Sequence, residues 1–471
     1  MRLPLTPALV LCLATCLAGT ASQPLAAREN AWKIPASTGV IGIDDAQLDP
    51  AFWVRQLADP DRVILDSGAI AAQNARLHQL DKSIHDLAAL QGTLDRAQVS
   101  GWIEALSRRP SKPLFDEHGK PVATATLDGV VDAINLGAIP ERQDTRYGLV
   151  VHRAALRTFP TSLRVFSSDD DHDIDRFQES ALFPGDPVVV AHESRDGKWW
   201  FVVSPRYAAW IEKQYVALGS QEQVLGYGRK TPYRVVTGAR ATTVYTQEEP
   251  GVSELQLDMG VRVPVLSDWP VGKPVNGQDG YTSHVIELPV RNDDGSLRFS
   301  PALLPRREPS QDHYLPLSGR NIIQQGFKFL GERYGWGHSY NGRDCSGFVS
   351  EVYRSMGVEL PRNTSDQAVS PALNRIALSD KDSREKRLQI ARELQVGDLV
   401  YIPGHVMMVI GQLNGEPYVI HDTTGLSFAG ADGKTVRART NGVTVSPLTP
   451  LLFNGQQTYV DRMTNIQRIR P

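Results

Sequence analysis

The chain has 471 residues, and at roughly 100–200 residues per domain this length predicts two to four domains. It carries 50 Lys and Arg against 53 Asp and Glu, a net charge of −3. It therefore offers no basic surface for a phosphate backbone, and nucleic acid is excluded as a partner. The hydrophobic fraction of 41% is typical of globular protein and excludes disordered chains, collagen, coiled coils and multi-span membrane proteins.

Residues 1–27 are predicted to be a signal peptide. Arg2 supplies a positive start, residues 3–17 are mostly apolar, and small residues follow, which favours cleavage near Ala21. The apolar run is shorter than the ~20 residues of a membrane span. Lipidation at Cys16 stays open as an alternative, and we expect contact with a membrane only in that case. Either route exports the protein, and we expect it in the periplasm.

Cys345 is the thiol that remains once the leader is removed or lipidated. Three cysteines are too few for a disulfide framework in a chain of this length. A free thiol in an oxidising compartment is either buried and inert or retained for its reactivity. The sequence therefore singles out Cys345.

The segment 28–140 is predicted to be a helical packing unit, and it contains no cluster of catalytic residue types. Pro60 predicts a break between two helical stretches. Apolar residues recur at helical spacing at Phe52, Trp53 and Leu57, and again at Ile84, Leu87, Leu90 and Leu94.

Beyond residue 140 the pattern changes to short β-rich runs separated by turn signals. This pattern predicts one β-barrel of SH3 size over 141–220 and a second over 221–300. Residues 301–317 are rich in proline and charge and are predicted to be a linker, and 318–471 has mixed α/β character. The clearest predicted strands are 148–152, 187–191, 198–203, 261–265 and 284–290.

A helix is predicted to begin at about Cys345 and to stop at Gly357, because apolar residues repeat at i, i+4 and i+8. A thiol at a helix N-terminus faces the positive end of the macrodipole, so we expect a lowered pKa and a reactive thiolate. The free amides of the first turn are suited to hold an oxyanion. Position alone leaves open the alternative of a small buried hydrophobe.

Two histidines lie on neighbouring predicted strands. His405 begins the second strand of a hairpin that starts near Gly397, and His421 lies in the following strand. A cysteine nucleophile needs a base, so we expect His405 to take the thiol proton and His421 to orient its ring. Any one histidine is more often structural, so the prediction depends on the three residues occurring together.

Five motifs in residues 318–440 resemble the NlpC/p60 family of cysteine peptidases and follow that family's order. The resemblance implies a papain-like α/β fold, hydrolysis of peptide bonds in the bacterial cell wall, and no metal or organic cofactor. The motifs are Tyr334-Gly-Trp336-Gly, Asp344-Cys345-Ser346-Gly347-Phe348, Leu360-Pro361-Arg362-Asn363-Thr364-Ser365-Asp366-Gln367, Gly397-Asp398-Leu399, and His405-Val406 with Ile420-His421.

The resemblance makes Cys345 the nucleophile, His405 the base and His421 the orienting third residue. Further positions in the same motifs are implied to bind substrate. Tyr334 would assist an oxyanion, Trp336 would wall the groove, Asp344 would bind the free amine of the substrate peptide, and Ser346 joins these substrate-binding residues. His338 departs from the family, which often has glycine or a small residue there; it would alter specificity or merely be exposed.

The whole chain resembles the four-part murein-peptide hydrolases of this family. The fold class is multidomain α+β, with a papain-like NlpC/p60 catalytic domain preceded by two SH3-like β-barrels and an N-terminal helical clamp. In such relatives the first barrel closes one end of the groove and supplies a carboxylate and a tyrosine to the substrate amine. Glu179 and Tyr207 are the candidates here.

The acidic run over residues 169–175 invites comparison with a calcium loop. It lacks the central glycine, and Ser180 stands at the twelfth position, where a bidentate glutamate is required. We therefore expect a solvated loop and no metal.

The sequence thus predicts an exported, monomeric cysteine peptidase. Its expected substrate is the γ-D-glutamyl–diamino acid bond of peptidoglycan peptides that carry a free N-terminal L-alanine, with either diaminopimelate or lysine after the glutamate. One alternative is a wall-binding protein whose peptidase part is inactive. Another keeps the fold but changes the reaction to an amidase or acyl transfer on a different wall or lipid substrate.

Overall fold

The computed structural model describes residues 32–470. The predicted signal peptide, with its cleavage site near Ala21 and the alternative lipidation site Cys16, lies outside the described residues. Among the described residues, no helix combines the length and the apolar character that a membrane crossing requires.

The N-terminal segment contains short helices separated by small strands. Helices α2 and α3 begin after Asp66 and Asp95, whose carboxylates each accept a backbone N–H at 2.8 Å, as N-cap residues do. The elements are α1 (Pro50–Val54), β1 (Val63–Leu65), α2 (Ser67–Leu80), β2 (Thr93–Asp95), α3 (Arg96–Leu106) and α4 (Thr124–Asp132).

The helical spacing between residues 84 and 94 does not produce a helix, so this part of the prediction is wrong. The chain forms turns there, because Asp81 and Asp86 each accept a hydrogen bond from the backbone amide two residues ahead. Such local side-chain bonds compete with helix formation. Ile84 and Leu87 are nevertheless buried, so the apolar pattern reflects packing rather than a helix.

Residues 146–219, called here the first β unit, form one antiparallel seven-stranded sheet in the order β10-β4-β7-β8-β9-β5-β6. A short β3 (Arg142–Asp144) precedes it and pairs with β2. The strands are β4 (Arg146–Val150), β5 (Ala154–Arg157), β6 (Gln178–Leu182), β7 (Pro187–Glu193), β8 (Trp199–Val203), β9 (Ala208–Glu212) and β10 (Val216–Gly219).

The second β unit follows helix α5 (Gln221–Tyr227) and spans residues 233–311. Its strands are β11 (Tyr233–Val236), β12 (Arg240–Thr242), β13 (Gln256–Asp258), β14 (Arg262–Pro264), β15 (Ser283–Arg291), β16 (Leu297–Pro305) and β17 (Ser310–Gln311). The predicted linker over 301–317 is therefore wrong in its first part. Ala302 and Leu304 of β16 are buried in this unit's core, and each strand of the two-stranded β15–β16 ribbon is an edge strand, where proline is tolerated.

The C-terminal domain packs helices against a six-stranded sheet in the order β19-β26-β20-β21-β22-β25. Its helices are α6 (Gly319–Phe327), α7 (Cys345–Arg354), α8 (Thr364–Val369), α9 (Arg384–Arg392) and α10 (Tyr459–Arg462). Its strands are β18 (Leu317–Ser318), β19 (Asn374–Ala377), β20 (Leu399–Ile402), β21 (His405–Leu413), β22 (Glu416–Thr423), β23 (Leu426–Ala429), β24 (Thr435–Ala438), β25 (Gly442–Pro447) and β26 (Asn465–Arg468).

Helix α7 forms as the sequence predicts, beginning at Cys345. The Asp344 carboxylate caps it by accepting the Gly347 amide at 2.8 Å, and Gly357 ends the following turn with a φ of +81°. The apolar face of α7 is buried against α6 and strands β21 and β22. The N-terminus of this buried helix therefore lies beside the start of β21, where the backbone of Val406 contacts Cys345.

The N-terminal segment contacts both the C-terminal domain and the first β unit. Trp53 is buried, with its ring 5.0 Å from that of Tyr418 on β22. Asn74 on α2 donates to the carbonyl of Gly357 at 2.8 Å. The amide of His85 donates to the carbonyl of Pro205 at 2.8 Å. One segment thus bridges the loop after α7 and the turn before β9.

Candidate active site

A cleft of about 490 Å³ opens beside the start of α7. Its walls come from α7, the loop before α8, the turn between β20 and β21, and strand β6 of the first β unit. Its charged lining residues are Glu179, Asp344 and Arg362, which leave one excess negative charge when all are ionised. Cys345 also lines the cleft, which therefore brings a thiol and an anionic wall together.

Cys345 is nearly buried, with 5% of its surface exposed. Its Sγ lies 3.6 Å from Thr364 Oγ1, and the backbone of Val406 hydrogen-bonds to it. Burial, with a contribution from the Asp344 charge, raises the pKa of the thiol to about 11 despite those two contacts. The predicted lowering of the pKa is therefore wrong, because desolvation of the thiolate outweighs the helix N-terminus.

His405 and His421 are paired, as predicted. His405 is the first residue of β21, and its Nε2 lies 2.7 Å from Nδ1 of His421 on β22. Nε2 of His421 lies 3.0 Å from Ser446 Oγ on β25. Within the described residues, no hydrogen bond joins His405 to the Cys345 Sγ, and Nδ1 of His405 is the ring nitrogen left free for that contact.

Both imidazoles are neutral near pH 7. Burial lowers the pKa of His405 to about 4, and burial together with the nearby His405 lowers the pKa of His421 well below its usual range. A neutral thiol beside a neutral imidazole is suited to general-base catalysis, in which the proton moves as the sulfur attacks.

Tyr334 and Trp336 line the same cleft, on the loop before α7. Within residues 32–470 the Tyr334 hydroxyl has no hydrogen-bond partner, and burial and the nearby Cys345 raise its pKa, so it remains protonated. Trp336 Nε1 donates to the carbonyl of Gln178 at 3.0 Å. The indole is thus fixed by the first β unit, whereas the phenol is free to donate into the cleft.

Asp344 is engaged by several donors at once. Gly337 N donates to its Oδ2 at 3.0 Å, and Arg362 donates to both oxygens, at 3.2 and 2.8 Å. Ser346 Oγ donates to Oδ1 at 3.2 Å, in addition to the helix cap from Gly347. Burial alone would raise the pKa of Asp344, but the Arg362 charge and these hydrogen bonds lower it to about 2. Asp344 is therefore ionised and its charge is neutralised locally.

Glu179 and Tyr207 of the first β unit are also brought together. The Tyr207 hydroxyl and Thr158 Oγ1 donate to the two carboxylate oxygens of Glu179, each at 2.5 Å. Burial and the Glu179 charge raise the pKa of Tyr207, so the phenol stays a donor. Glu179 lines the cleft, whereas Tyr207 does not line it and instead contacts Glu179. Glu179 has no cationic side-chain partner among the described residues.

His338 is buried rather than exposed, which contradicts one of the two interpretations of this position. Its ring lies between Glu351 and Arg362. In the acidic run over residues 169–175, Asp175 is buried and pairs with Arg157 at 2.5 Å, so the prediction of a solvated loop is wrong at this residue. Asp173 pairs with Arg333 of the C-terminal domain.

Three residues near the site have no sequence signal that marks them individually. Thr364 lies within a recognised motif and contacts the thiol, and Ser446 contacts His421 from a strand with no motif. Asp422 follows His421 on β22 and pairs with Val443 of β25. It is fully buried, and neither of its oxygens has a hydrogen-bond partner among the described residues. Burial, with Asp344 and Glu332 nearby, raises its pKa to about 9.

Residues 331–449 match the NlpC/P60 family, and residues 164–212 match the SH3 domain of SH3b1 type. The chain therefore contains a domain of the NlpC/P60 family of cell-wall cysteine peptidases and an SH3b-type domain, which confirms the predicted resemblance. These matches do not extend to the second β unit or the N-terminal segment, whose assignments as a second barrel and a clamp stay predictions.

Two curated relatives are named as dipeptidyl-peptidases. A gamma-D-glutamyl-L-lysine dipeptidyl-peptidase of Bacillus cereus (strain ATCC 10987 / NRS 248) is 26% identical over 341 residues, covering 63% of this chain and 90% of the relative. One of the same name from Bacillus subtilis (strain 168) is 44% identical over 93 residues, covering 18% of this chain and 31% of the relative.

The fold is shared with a solved NlpC/P60 endopeptidase from Photobacterium damselae subsp. piscicida. The two structures superpose with a TM-score of 0.70 over 88% of this chain and 96% of the other, at 17% sequence identity. This likeness shows that the two proteins share a fold over the part of the chain that superposes.

The protonation states of Cys345 and His405 predict how the free enzyme reacts with iodoacetamide. Because burial keeps the thiol protonated, the rate of Cys345 alkylation should still be rising with pH above pH 9. Enzymatic activity should fall below about pH 4, where His405 gains a proton. Mass spectrometry of the Cys345 peptide across pH measures the alkylation rate. A rate that is already constant at pH 6 would instead indicate a preformed thiolate–imidazolium pair.

The raised pKa of Asp422 predicts a stability effect. The folded side chain keeps its proton up to about pH 9, whereas the unfolded one loses it near 3.8, so the free energy of unfolding declines as pH rises between these values. Asp422→Asn should be more stable than wild type by a few kcal/mol at pH 8 and show little difference at pH 4. Urea unfolding at both pH values measures this, and equal stability of the two proteins at pH 8 would contradict it.

Proposed function

We propose that this NlpC/P60 protein hydrolyses the γ-D-glutamyl–diamino acid bond of peptidoglycan peptides that carry a free N-terminal L-alanine. The observation that carries the proposal is the cleft itself, in which Cys345 and Glu179 line one space of about 490 Å³. Among the described residues the Glu179 carboxylate has no cationic side-chain partner. The names of the Bacillus relatives, which specify a γ-D-glutamyl bond and release of dipeptides, support the same bond and the same product length.

The first step we propose is attack of the Cys345 sulfur on the γ-carbonyl carbon. The thiol proton passes to Nδ1 of His405, whose Nε2–H donates to Nδ1 of His421; the Nε2–H of His421 then donates to Ser446. This single direction of donation keeps His405 in the tautomer that accepts at Nδ1. Imidazolium His405 returns the proton to the leaving amine, and the thioester that remains is hydrolysed by water that His405 activates.

The developing oxyanion has two donors within reach of the nucleophile. The backbone N–H of Cys345 is at the start of α7, where amides lack an intrahelical acceptor, and the Tyr334 hydroxyl is protonated and free. Within the described residues neither donor has to give up a hydrogen bond before it can stabilise the developing charge.

The substrate amine is proposed to meet Glu179 first. Asp344 already accepts five hydrogen bonds and is paired with Arg362, so little of its accepting capacity remains. Glu179 accepts two hydrogen bonds, both from neutral hydroxyl groups, and an ammonium ion would give it its first cationic partner. We therefore assign the direct contact to Glu179, with Tyr207 orienting it and Asp344 holding Arg362.

The remaining assignments are also proposals. Residues 1–27 would export the protein, residues 28–140 would act as the clamp, and the first β unit would close one end of the groove. Support for closure comes from strand β6: Gln178 Nε2 donates to the carbonyl of Gly337 at 2.7 Å, and Ser180 Oγ accepts from Arg362 Nε at 2.6 Å. A closed end explains why an amine-terminated dipeptide would be the acyl part.

Hydrolysis of synthetic L-Ala-γ-D-Glu-diaminopimelate and of its N-acetylated form tests the proposal. The wild-type protein should release L-Ala-D-Glu from the free-amine peptide alone, and Cys345→Ala should release none, because it lacks the nucleophile. Mass spectrometry of the products identifies the bond that is cut. Cleavage of neither peptide by a reduced, folded wild type would refute the proposed activity, whereas equal cleavage of both would refute the recognition of the amine.

Glu179→Gln should weaken substrate binding with little effect on the chemical step. It replaces the unpaired carboxylate by a neutral amide of the same shape, so we expect KM for the free-amine peptide to rise about tenfold or more and kcat to change little. Steady-state kinetics on both peptides measure this. A matched control is Glu193→Gln on β7, a carboxylate that contacts Trp200 and Lys213 away from the cleft. An unchanged KM for Glu179→Gln would exclude Glu179 as the amine partner.

A further inference from the structure

His338 is a departure from the family pattern and is held tightly from two sides. It adopts a φ of +67°, and its side chain is 4% exposed. The ring lies against the first turn of α7, where a Cβ added to Gly347 would come 2.7 Å from its Cε1. On the other side, the ring of Phe183 from the first β unit meets it edge-on at 5.7 Å.

The neighbours of His338 fix its tautomer. Nδ1 lies 3.2 Å from Arg362 Nη2, and a guanidinium can only donate, so Nδ1 accepts. Nε2 lies 3.0 Å from a carboxylate oxygen of Glu351, so it carries the proton and donates. Burial and the Arg362 charge hold the pKa of His338 well below its usual range, which keeps the ring in this neutral form.

His338 is thereby one of the groups that orient the Arg362 guanidinium. The same Nη2 donates to Asp344 at 2.8 Å, Nη1 donates to Ser346 at 2.9 Å, and Nε donates to Ser180 at 2.6 Å. All three guanidinium nitrogens therefore have partners away from Glu179. With Arg362 held there, the negative charge of Glu179 stays available in the cleft.

The support continues into the second β unit. Glu351, which accepts from His338, also accepts from Arg343 Nε at 2.6 Å. Arg343 Nη2 donates to Asp258, at the end of β13, at 2.9 Å, and both of these residues are fully buried. A continuous series of charged and neutral hydrogen bonds thus runs from Asp258 to Arg362.

We propose that His338, held by Glu351 and anchored through Arg343 to Asp258, is a positioning residue that keeps Arg362 on Asp344 and so makes the cleft selective for a free amine. This inference rests on the proposed function. Arg362 already lines the cleft. Without the acceptor at Nδ1, its Nη2 loses one partner and the guanidinium is held less firmly on Asp344, so it can approach Glu179. There it would neutralise Glu179 and repel the substrate ammonium group.

Two substitutions of His338 separate positioning from packing. His338→Leu removes both hydrogen bonds, whereas His338→Gln retains an acceptor and a donor on one side chain. With full-length protein we expect His338→Leu to raise KM for L-Ala-γ-D-Glu-diaminopimelate about tenfold or more, the range for loss of a charge-assisted hydrogen bond. Its kcat should change less than about threefold, and its preference over the N-acetylated peptide should fall. His338→Gln should keep KM and the preference for the free-amine peptide within about threefold of the wild-type values.

His192→Leu is the matched control. His192 is also a buried histidine, with Nε2 3.1 Å from the carbonyl of Ile134, but it lies in the first β unit away from the cleft. It should lower the thermal midpoint without changing KM or the preference for the free amine. If thermal unfolding shows that His338→Leu is not folded, His338→Gly is measured instead, because glycine suits a φ of +67°. The same rise in KM and the same loss of preference are expected.

The outcomes distinguish the two proposals. A wild type that cleaves neither peptide, or both equally, overturns the proposed function and this inference with it. A selective wild type combined with a folded His338→Leu or His338→Gly that keeps wild-type KM and selectivity overturns the inference alone. The inference is also overturned if His338→Leu changes kcat and KM to the same extent on both peptides and His338→Gln does not restore them. That result would indicate a purely structural role.

Discussion

The ion pair between Arg362 and Asp344 is the contact on which the geometry of the cleft depends. The Asp344 carboxylate caps the helix that begins with Cys345, and it also accepts a hydrogen bond from the backbone amide of Gly337 in the loop before α7. Arg362, in turn, donates to Ser180 of the first β unit. One buried carboxylate thus joins three parts of the chain. Removing either partner would leave an uncompensated buried charge, which costs several kcal/mol, so these parts are held in register.

The same burial decides the chemistry of the nucleophile. A helix N-terminus stabilises a negative charge by about 0.3–1 kcal/mol, and by up to about 2 kcal/mol in partly buried geometries, whereas one pKa unit corresponds to about 1.4 kcal/mol. A thiol pKa raised from 9.0 to about 11 means that desolvation and the neighbouring Asp344 exceed the stabilising contacts of Thr364 and Val406. In the proposed mechanism, attack then relies on His405 as a general base, and the lowered pKa of that histidine keeps it in the accepting form.

Local patterns were sufficient to predict the elements that carry the chemistry. The start of α7 at Cys345 and the position of His405 at the head of β21 follow from apolar periodicity and turn residues, which act over a few neighbours. The environment of those groups was not predictable in this way. Ser446, which contacts His421, and the depth at which Cys345 is buried depend on how distant segments pack. The proline-rich stretch after residue 300 was misassigned because a strand in a two-stranded ribbon tolerates the residues that usually mark a linker.

The second β unit contributes to the catalytic domain through buried charge. A module that bound the cell wall independently would keep its charged groups outward, where a polymer could meet them. Asp258 instead points inward to Arg343, the residue that precedes Asp344 in the chain, and Arg153 of the first β unit approaches the same carboxylate at 3.6 Å. Detaching the unit would remove Asp258 from the carboxylates that surround the buried Arg343 and leave it with Glu332 and Glu351. Both β units therefore contribute buried charges that support the start of α7, so the selectivity proposed for the cleft depends on these units as well as on the C-terminal domain.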